Sequence, residues 1–354
     1  RHPMPTEISS IVGYLTEYAA AIFWELYLAH RVWWKRGFDI IHICNPPDLL
    51  FINAGWFKLI KGVKVIFDHH DINPEMYEAK YGRRDIFYYG LRLVERLTFA
   101  LADTVISTNE SYRNIALTRG HKKLEDVFVV RSGPDLSRFQ PVQVNPAYKN
   151  NKQYLVCYRG VMGEPEGIDY LLESIRHIVY DQKRQDIHFM LIGSGPMLEE
   201  MKNLALQLKV HEYVEFTGRI SDEELLARLS SCDICVNPDK KMPYNDKSTM
   251  NKIMEYMAMG KPIVQFDLME GRYSAGDASV YAKGNDSLDF ADKILELLAD
   301  PERRAKMGAI GMQRMKEQLE WRYQIPTLLK AYGYEEQSKI TPKNTNNQLK
   351  IASK

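Results

Sequence analysis

The sequence predicts an α/β fold made of two Rossmann-like, doubly wound domains, and three observations predict it. Short apolar runs of strand length alternate with helical patterns along most of the chain, the rhythm of parallel sheets covered on both faces. That rhythm breaks at residues 140–153, which hold three Gln, two Pro, three Asn and two Lys and little that is apolar, the composition of a linker. A length of 354 residues is enough for two cores of ordinary size.

Taken in order, residues 8–36 form a long helical pattern rich in aromatics and alanine, ending in Arg31, Lys35 and Arg36. Glu17 and Glu25 interrupt it, so its uncharged runs fall short of the roughly 20 residues a membrane span requires. Its basic end beside Trp33 and Trp34 suits an anionic membrane surface; a buried helix with cations at its C-terminus is the competing reading. Strands follow at 38–44, 63–68, 104–107 and 127–131, with helices at 48–60, 84–101 and 111–119. After the linker come strands at 154–159, 187–192, 214–217, 234–237, 263–266 and 279–281. Helices fill the gaps at 168–181, 197–208, 222–229, 250–259 and 287–298, a complete doubly wound unit. Helical patterns at 301–317 and 321–334 close the chain, and the polar, Lys/Asn-rich residues 337–354 are expected to be a disordered tail. The division expected is therefore a first domain over 1–139, a linker over 140–153, a second domain over 154–320, a last helix over 321–336, and the tail.

Composition excludes several classes. With 47 basic and 46 acidic side chains the chain has no general electrostatics for nucleic acid, and any anion site is local. Cys44, Cys157, Cys232 and Cys235 are too few and too scattered for a disulfide framework. The single Cys232-Asp-Ile-Cys235 pair has no second pair to complete a zinc site. The N-terminus, Arg-His-Pro-Met-Pro-Thr-Glu, has neither an initiator Met nor a signal-peptide pattern, and the chain reads as a fragment.

Ligands in doubly wound sheets bind beyond the C-terminal ends of the strands. In the first domain this selects Asn45-Pro46-Pro47-Asp48, the loop from His69 through His70 and Asp71 to Glu75, and Thr108-Asn109-Glu110. A metal on His69-His70-Asp71 is disfavoured, because neighbours on an extended strand point to opposite faces. In the second domain, Gly160-Val-Met-Gly163 is a turn that lets a phosphate approach the backbone. Gly193-Ser-Gly195-Pro echoes a dinucleotide fingerprint, but Leu198 stands where the third glycine belongs, so an NAD site is unsupported. Asn245-Asp-Lys-Ser-Thr-Met-Asn-Lys252 leads into a helix whose start offers unpaired N–H groups at Ser248, Thr249 and Met250. About two turns on, Glu255 is placed to meet sugar or ribose hydroxyls; a solvated carboxylate on a capped helix is the bland reading.

This helix, with its Glu255 followed by Gly260-Lys-Pro-Ile-Val264, resembles the donor-binding segment of retaining glycosyltransferases of family 4, which have the GT-B fold. In that family two glutamates are separated by seven intervening residues; Glu255 matches the second, which holds the ribose, and Lys247 occupies the place of the first. The Asn-Asp-x-Ser-Thr-x-Asn-Lys form of the segment is similar to a subgroup of bacterial polysaccharide-assembly transferases. The resemblance implies two Rossmann-like domains facing across a cleft, the first lacking its opening elements, with the last helix crossing back to the first domain. It gives His70 and Asp71 the orienting role toward sugar and acceptor, with Asn45 and Asn109 on the acceptor side. The family's diphosphate-gripping Arg and Lys align with Val161 and Glu166, so either the amides at Gly163 and Ser248, Thr249 and Met250 take the phosphate, with Lys247, Lys252 or Arg131 as counter-charge, or the diphosphate is held differently; Asn251 and Gly193 are further donor-binding candidates. Phe216-Thr-Gly-Arg-Ile220 is similar to the strand end that meets the base, which assigns Arg219 and Ile220 to it.

The activity so implied is transfer of a sugar from a nucleotide sugar to a hydroxyl of a growing glycan. The cofactor expectation is none: the nucleotide sugar is a substrate, and no metal is required. The expected partners are a glycan or polyprenyl-linked acceptor and contact with the inner-membrane surface, the protein being cytoplasmic and peripheral; nucleic acid is not among them. Two alternatives stay open: a sugar-nucleotide epimerase on the same fold, and a nucleotide-binding fragment without turnover.

Overall fold

In the computed structural model residues 11–334 are described; the expected tail, the last two residues of the expected crossing helix and the start of the first helix lie outside them. Two parallel sheets organise the chain. The first contains β1 (Ile40–Cys44), β2 (Lys64–His69), β3 (Thr104–Ser107) and β4 (Val127–Val129), side by side in chain order. The second contains β5 (Tyr154–Arg159), β6 (Ile187–Ile192), β7 (Val214–Gly218), β8 (Ile234–Asn237), β9 (Ile263–Phe266) and β10 (Ser279–Ala282) in the order β10-β9-β8-β5-β6-β7. The chain therefore runs outward from β5 to one edge and returns to start β8 on its other side. That reversal opens a crevice at the C-terminal ends of β5 and β8.

The elements form for local reasons. All six residues of β6 are buried, as a parallel strand covered on both faces requires, and its run Ile-His-Phe-Met-Leu-Ile is almost wholly apolar. Helix Asp222–Ser231 starts on a Ser221 cap that accepts the Glu224 N–H, with three acids in its first turn. The apolar core of the second domain has one cluster on each side of its sheet, built around Phe189, Phe266 and Phe290 on one side and Met254, Tyr256 and Met257 on the other. The first domain packs around Phe67, Phe99 and Tyr112.

Three helices stand where the sequence suggested loops. Asn73–Tyr81 has Pro74 in its first turn and ends on Gly82 in the left-handed region at φ 65°, but it buries only Pro74 and Glu75, so it has no apolar stripe to read. Pro243–Lys247 is a single turn, and Met269–Ala275 is short. Residues 140–153 do not hang free: the N–H groups of Val142 and Asn145 donate to Ser230 and Ser231 Oγ, which straps the segment along the second domain. Helix Ile325–Ala331 packs under the first sheet, where Ala331 joins Ile66, Ile106 and Val130.

Candidate functional site

Two adjacent hollows sit at the crevice. One, of about 240 Å³, lies between the domains and is lined by His70, Asp71, Thr108, Tyr112 and Ser132 from the first, and by Glu166, Asp239, Tyr244, Asn245 and residues 248–251 from the second. The other, of about 330 Å³, opens at the ends of β5, β6 and β7, with Arg159, Gly160, Val161, Gly193, Ser194, Arg219 and Ile220 on its walls.

Helix Asn251–Ala258 points its N-terminus at the interdomain hollow. The amide of Ser248 is occupied by Asn245 O, and the helical ladder resumes with Ile253 N–H on Met250 O. Among the described residues, no acceptor meets the N–H groups of residues 249–252. Four adjacent unpaired donors at the positive end of a helix form an anion-binding surface. The Ser248 hydroxyl donates to Tyr244 O and meets Tyr112 OH, and Thr249 Oγ1 accepts from Asn109 Nδ2, so both side chains are engaged while the backbone stays open.

Glu255 is 7% exposed and sits 2.9 Å from Arg159 Nη1, in contact but not aligned for a hydrogen bond. Burial pushes its carboxyl above the usual range, with Arg159 and Lys252 opposing the rise. Arg159 ends β5, and Tyr256 OH accepts its backbone N–H at 2.8 Å, so the carboxylate helix and the strand end are joined through one residue of each. Arg159 was not singled out from the sequence. Its signal was its place as the last residue of the strand that begins the second domain.

The three cations expected to offset a diphosphate already have partners. Lys252 is buried at 2.7 Å from Asp239; although burial works against its charge, Asp239 holds it firmly protonated. Arg131 is buried at 2.9 Å from Glu270 and stacks on Tyr273. Lys247 reaches across to Glu75 at 3.3 Å. Two amides assigned to phosphate are likewise taken: Gly163 N–H donates to Glu166 Oε2 and Gly193 N–H to Gly218 O. Gly193 is needed for another reason, since at φ 134° a Cβ there would lie 1.9 Å from Gly160 O. Arg219 is exposed at the mouth of the second hollow and forms no ion pair among the described residues.

On the opposite wall, His70 Nε2 lies 3.1 Å from Asp68 Oδ2. Hydrogen bonds to Asp68 and to Cys44 push its pKa up to about 10, so at neutral pH it faces the hollow as an imidazolium, a donor and not a base. Burial pushes the Asp71 carboxyl up. Asn45 and Asn109, expected on the acceptor side, instead fasten backbone. Asn45 Oδ1 accepts the His70 N–H and its Nδ2 donates to Asp71 O, fixing the loop. Asn109 caps helix Glu110–Thr118 and donates to Lys247 O across the domain boundary. Both side chains are buried, with their amides spent on the fold.

Residues 153–300 match the family described as Glycosyl transferases group 1. A GDP-mannose-dependent monoacylated alpha-(1-6)-phosphatidylinositol monomannoside mannosyltransferase of Corynebacterium glutamicum is 24% identical over 204 residues, 55% of this chain and 52% of that relative. The chain thus spans about half the length of this curated relative. Among solved structures, sucrose-phosphate synthase of Thermosynechococcus elongatus superposes with a TM-score of 0.75 at 19% identity, over 89% of this chain and 78% of that one. HepE of Anabaena, in complex with UDP and glucose, gives 0.71 at 15% identity over 93% and 84%. The two parallel sheets and their cleft are the GT-B fold.

Proposed function

We propose that this chain transfers a sugar from a nucleotide-sugar donor to a hydroxyl of a growing glycan, with retention at the anomeric carbon. The observation that carries the reading is the row of unpaired amides at residues 249–252 at the wall of the interdomain hollow, which suits a sugar, with a second hollow at the ends of β5, β6 and β7 that suits a nucleoside. In this reading the diphosphate lies at those amides, whose dipole supplies charge that Lys247, Lys252 and Arg131, already paired, supply only in part. The nucleoside occupies the second hollow, with Glu255 on the ribose and Arg219 and Ile220 at the base. The sugar occupies the interdomain hollow, whose carboxylates Asp71, Glu166 and Asp239 suit hydroxyl donors better than phosphate oxygens. The His70 imidazolium donates to the sugar or to the acceptor. The departing phosphate takes the acceptor proton on the same face, leaving the protein to stabilise charge and align two hydroxyls.

The names of the similar proteins support this class of reaction: a mannosyltransferase by sequence, and a UDP and glucose complex by fold. A polyprenyl-linked acceptor at the inner membrane face fits the first domain's outer surface. There Trp34, Leu59 and Ile86 are more than four-fifths exposed, and Lys61 lies over the Trp33 ring at 4.0 Å. No helix among the described residues is long and apolar enough to cross a membrane.

A thermal-shift panel of UDP, GDP and ADP tests the donor site, and stabilisation by none of the three sinks it. With the matching nucleotide sugar and a glycan acceptor, the anomeric proton signal of the product is expected to retain the donor's configuration. Turnover is expected without Mg²⁺. Donor isomerised with no acceptor present would replace transfer by epimerisation.

A further inference from the structure

Beyond the nucleotide-sugar site, we propose that Cys44, Asp68 and His70 form a binding site for a thiophilic divalent cation of the zinc class, with His42 as its outer partner. β1 and β2 are parallel neighbours in a register that sets Cys44 opposite Asp68. Side chains two apart on extended chain share a face, so His42 and Cys44 project from β1 on the side where Asp68 projects from β2 and His70 from the residue just past its end. The same alternation sends His69 the other way, fully buried against Phe67, Phe99 and Tyr112. The period of two that rules out a metal on His69-His70-Asp71 therefore assembles this different set.

The Cys44 sulfur, an Asp68 oxygen and a His70 nitrogen all lie within 4.8 Å of one another. Asp68 Oδ2 is 3.1 Å from both His70 Nε2 and His42 Nε2. Tetrahedral zinc, with bonds of roughly 2.0–2.3 Å, needs its ligand atoms about 3.3–3.8 Å apart, so Asp68 and His70 open slightly from 3.1 Å while the Cys44 sulfur, within 4.8 Å of both, draws in. Sulfur and imidazole nitrogen select zinc over magnesium or calcium, and three protein ligands leave the fourth position open. The surroundings are stiff: Asn45 pins the His70 N–H, and Tyr332 OH holds His42 Nδ1. On binding, Cys44 and the His70 imidazolium each give a proton to solvent, leaving a thiolate and a neutral imidazole as ligands. Occupancy withdraws His70 from the interdomain hollow, and the site stands whether or not the chain transfers sugar.

Titration of the metal-free full chain with Co²⁺ tests it. One equivalent is expected to bind with a thiolate-to-cobalt charge-transfer band and the intense visible bands of four-coordination. Cys44→Ser removes the charge-transfer band. His70→Gln weakens binding by more than about 100-fold, and His42→Gln by about 10-fold. Cys235→Ala leaves all of this unchanged. A chain that gives no charge-transfer band overturns the proposal. So does a band that survives Cys44→Ser and vanishes with Cys235→Ala, because it places the ion at Cys232 and Cys235, whose sulfurs are 3.4 Å apart.

Discussion

The two walls of the cleft hold their polar groups by opposite means. On the first-domain wall, side chains tie the groups that face the cleft, with Asp68 between two imidazoles, Asn45 clamping the His70 loop and Arg119 joining Glu75 to Glu95, while the ring nitrogens of buried His69 behind them have no partner. On the second-domain wall, cations are matched to buried carboxylates, while four backbone donors and one oxygen of Asp239 are left without partners. Helix-start donors that no protein group meets are open to a ligand, so in the proposed reading the second wall binds and the first orients.

The largest effect that tests this contrast is on folding. Lys252→Met leaves Asp239 buried without its cation and is expected to cost about 3–5 kcal/mol in urea unfolding. Adding Asp239→Asn is expected to recover most of that loss; if the single change is silent, the second wall is not held by its buried pair. Next, His70→Ala is expected to lower kcat by about 10²–10³ with the donor Kd unchanged. An equal loss in both would erase the division of labour between the walls. Glu255→Gln has the reverse signature, a donor Kd weakened by about 10–100-fold, read by calorimetry with the nucleotide found in the thermal-shift panel.

A smaller effect concerns pH. Burial pushes the Glu95 carboxyl up to about 7, although Arg119 opposes it. The folded state thus holds a proton that the unfolded chain has already released, and stability is expected to fall as pH rises from 4.5 to 7 and to level off above. Glu95→Gln should flatten that slope in thermal unfolding across the window; an unchanged slope would assign it to another group. The smallest effect is expected from Lys247→Ala. Its partner Glu75 keeps Arg119 at 2.5 Å, and a half-exposed ion pair contributes at most about 1 kcal/mol. A large loss of donor affinity would make Lys247 a principal counter-charge to the phosphate.

Legibility followed the range of the physics involved. The strands at 154–159, 187–192, 234–237 and 263–266 were readable to the residue, because a strand buried on both faces is a nearly continuous apolar run. Helix Asn73–Tyr81 escaped because it buries too little to show a stripe. Among site residues, Glu255 and the residues preceding its helix were legible as a helix start with a carboxylate downstream. Glu270, which accepts from Ser111 and Arg131 of the other domain, was not, since nothing within ten residues of it marks a contact more than 130 residues away in sequence. That Lys247, Lys252 and Arg131, expected as counter-charges, already have carboxylate partners was illegible for the same reason: a residue's charge is local information and its partner is not.

The sequence by itself determined which segments become strands and helices, where a helix would start with open amides, and that a carboxylate would follow about two turns later. Those depend on periodicity, capping and glycine, all properties of near neighbours along the chain. Only the tertiary structure decided that β8 returns beside β5, that Arg159 meets Glu255, and that the expected cations are neutralised where they stand. Those outcomes rest on strand order and on charges paired through space, which no local pattern encodes.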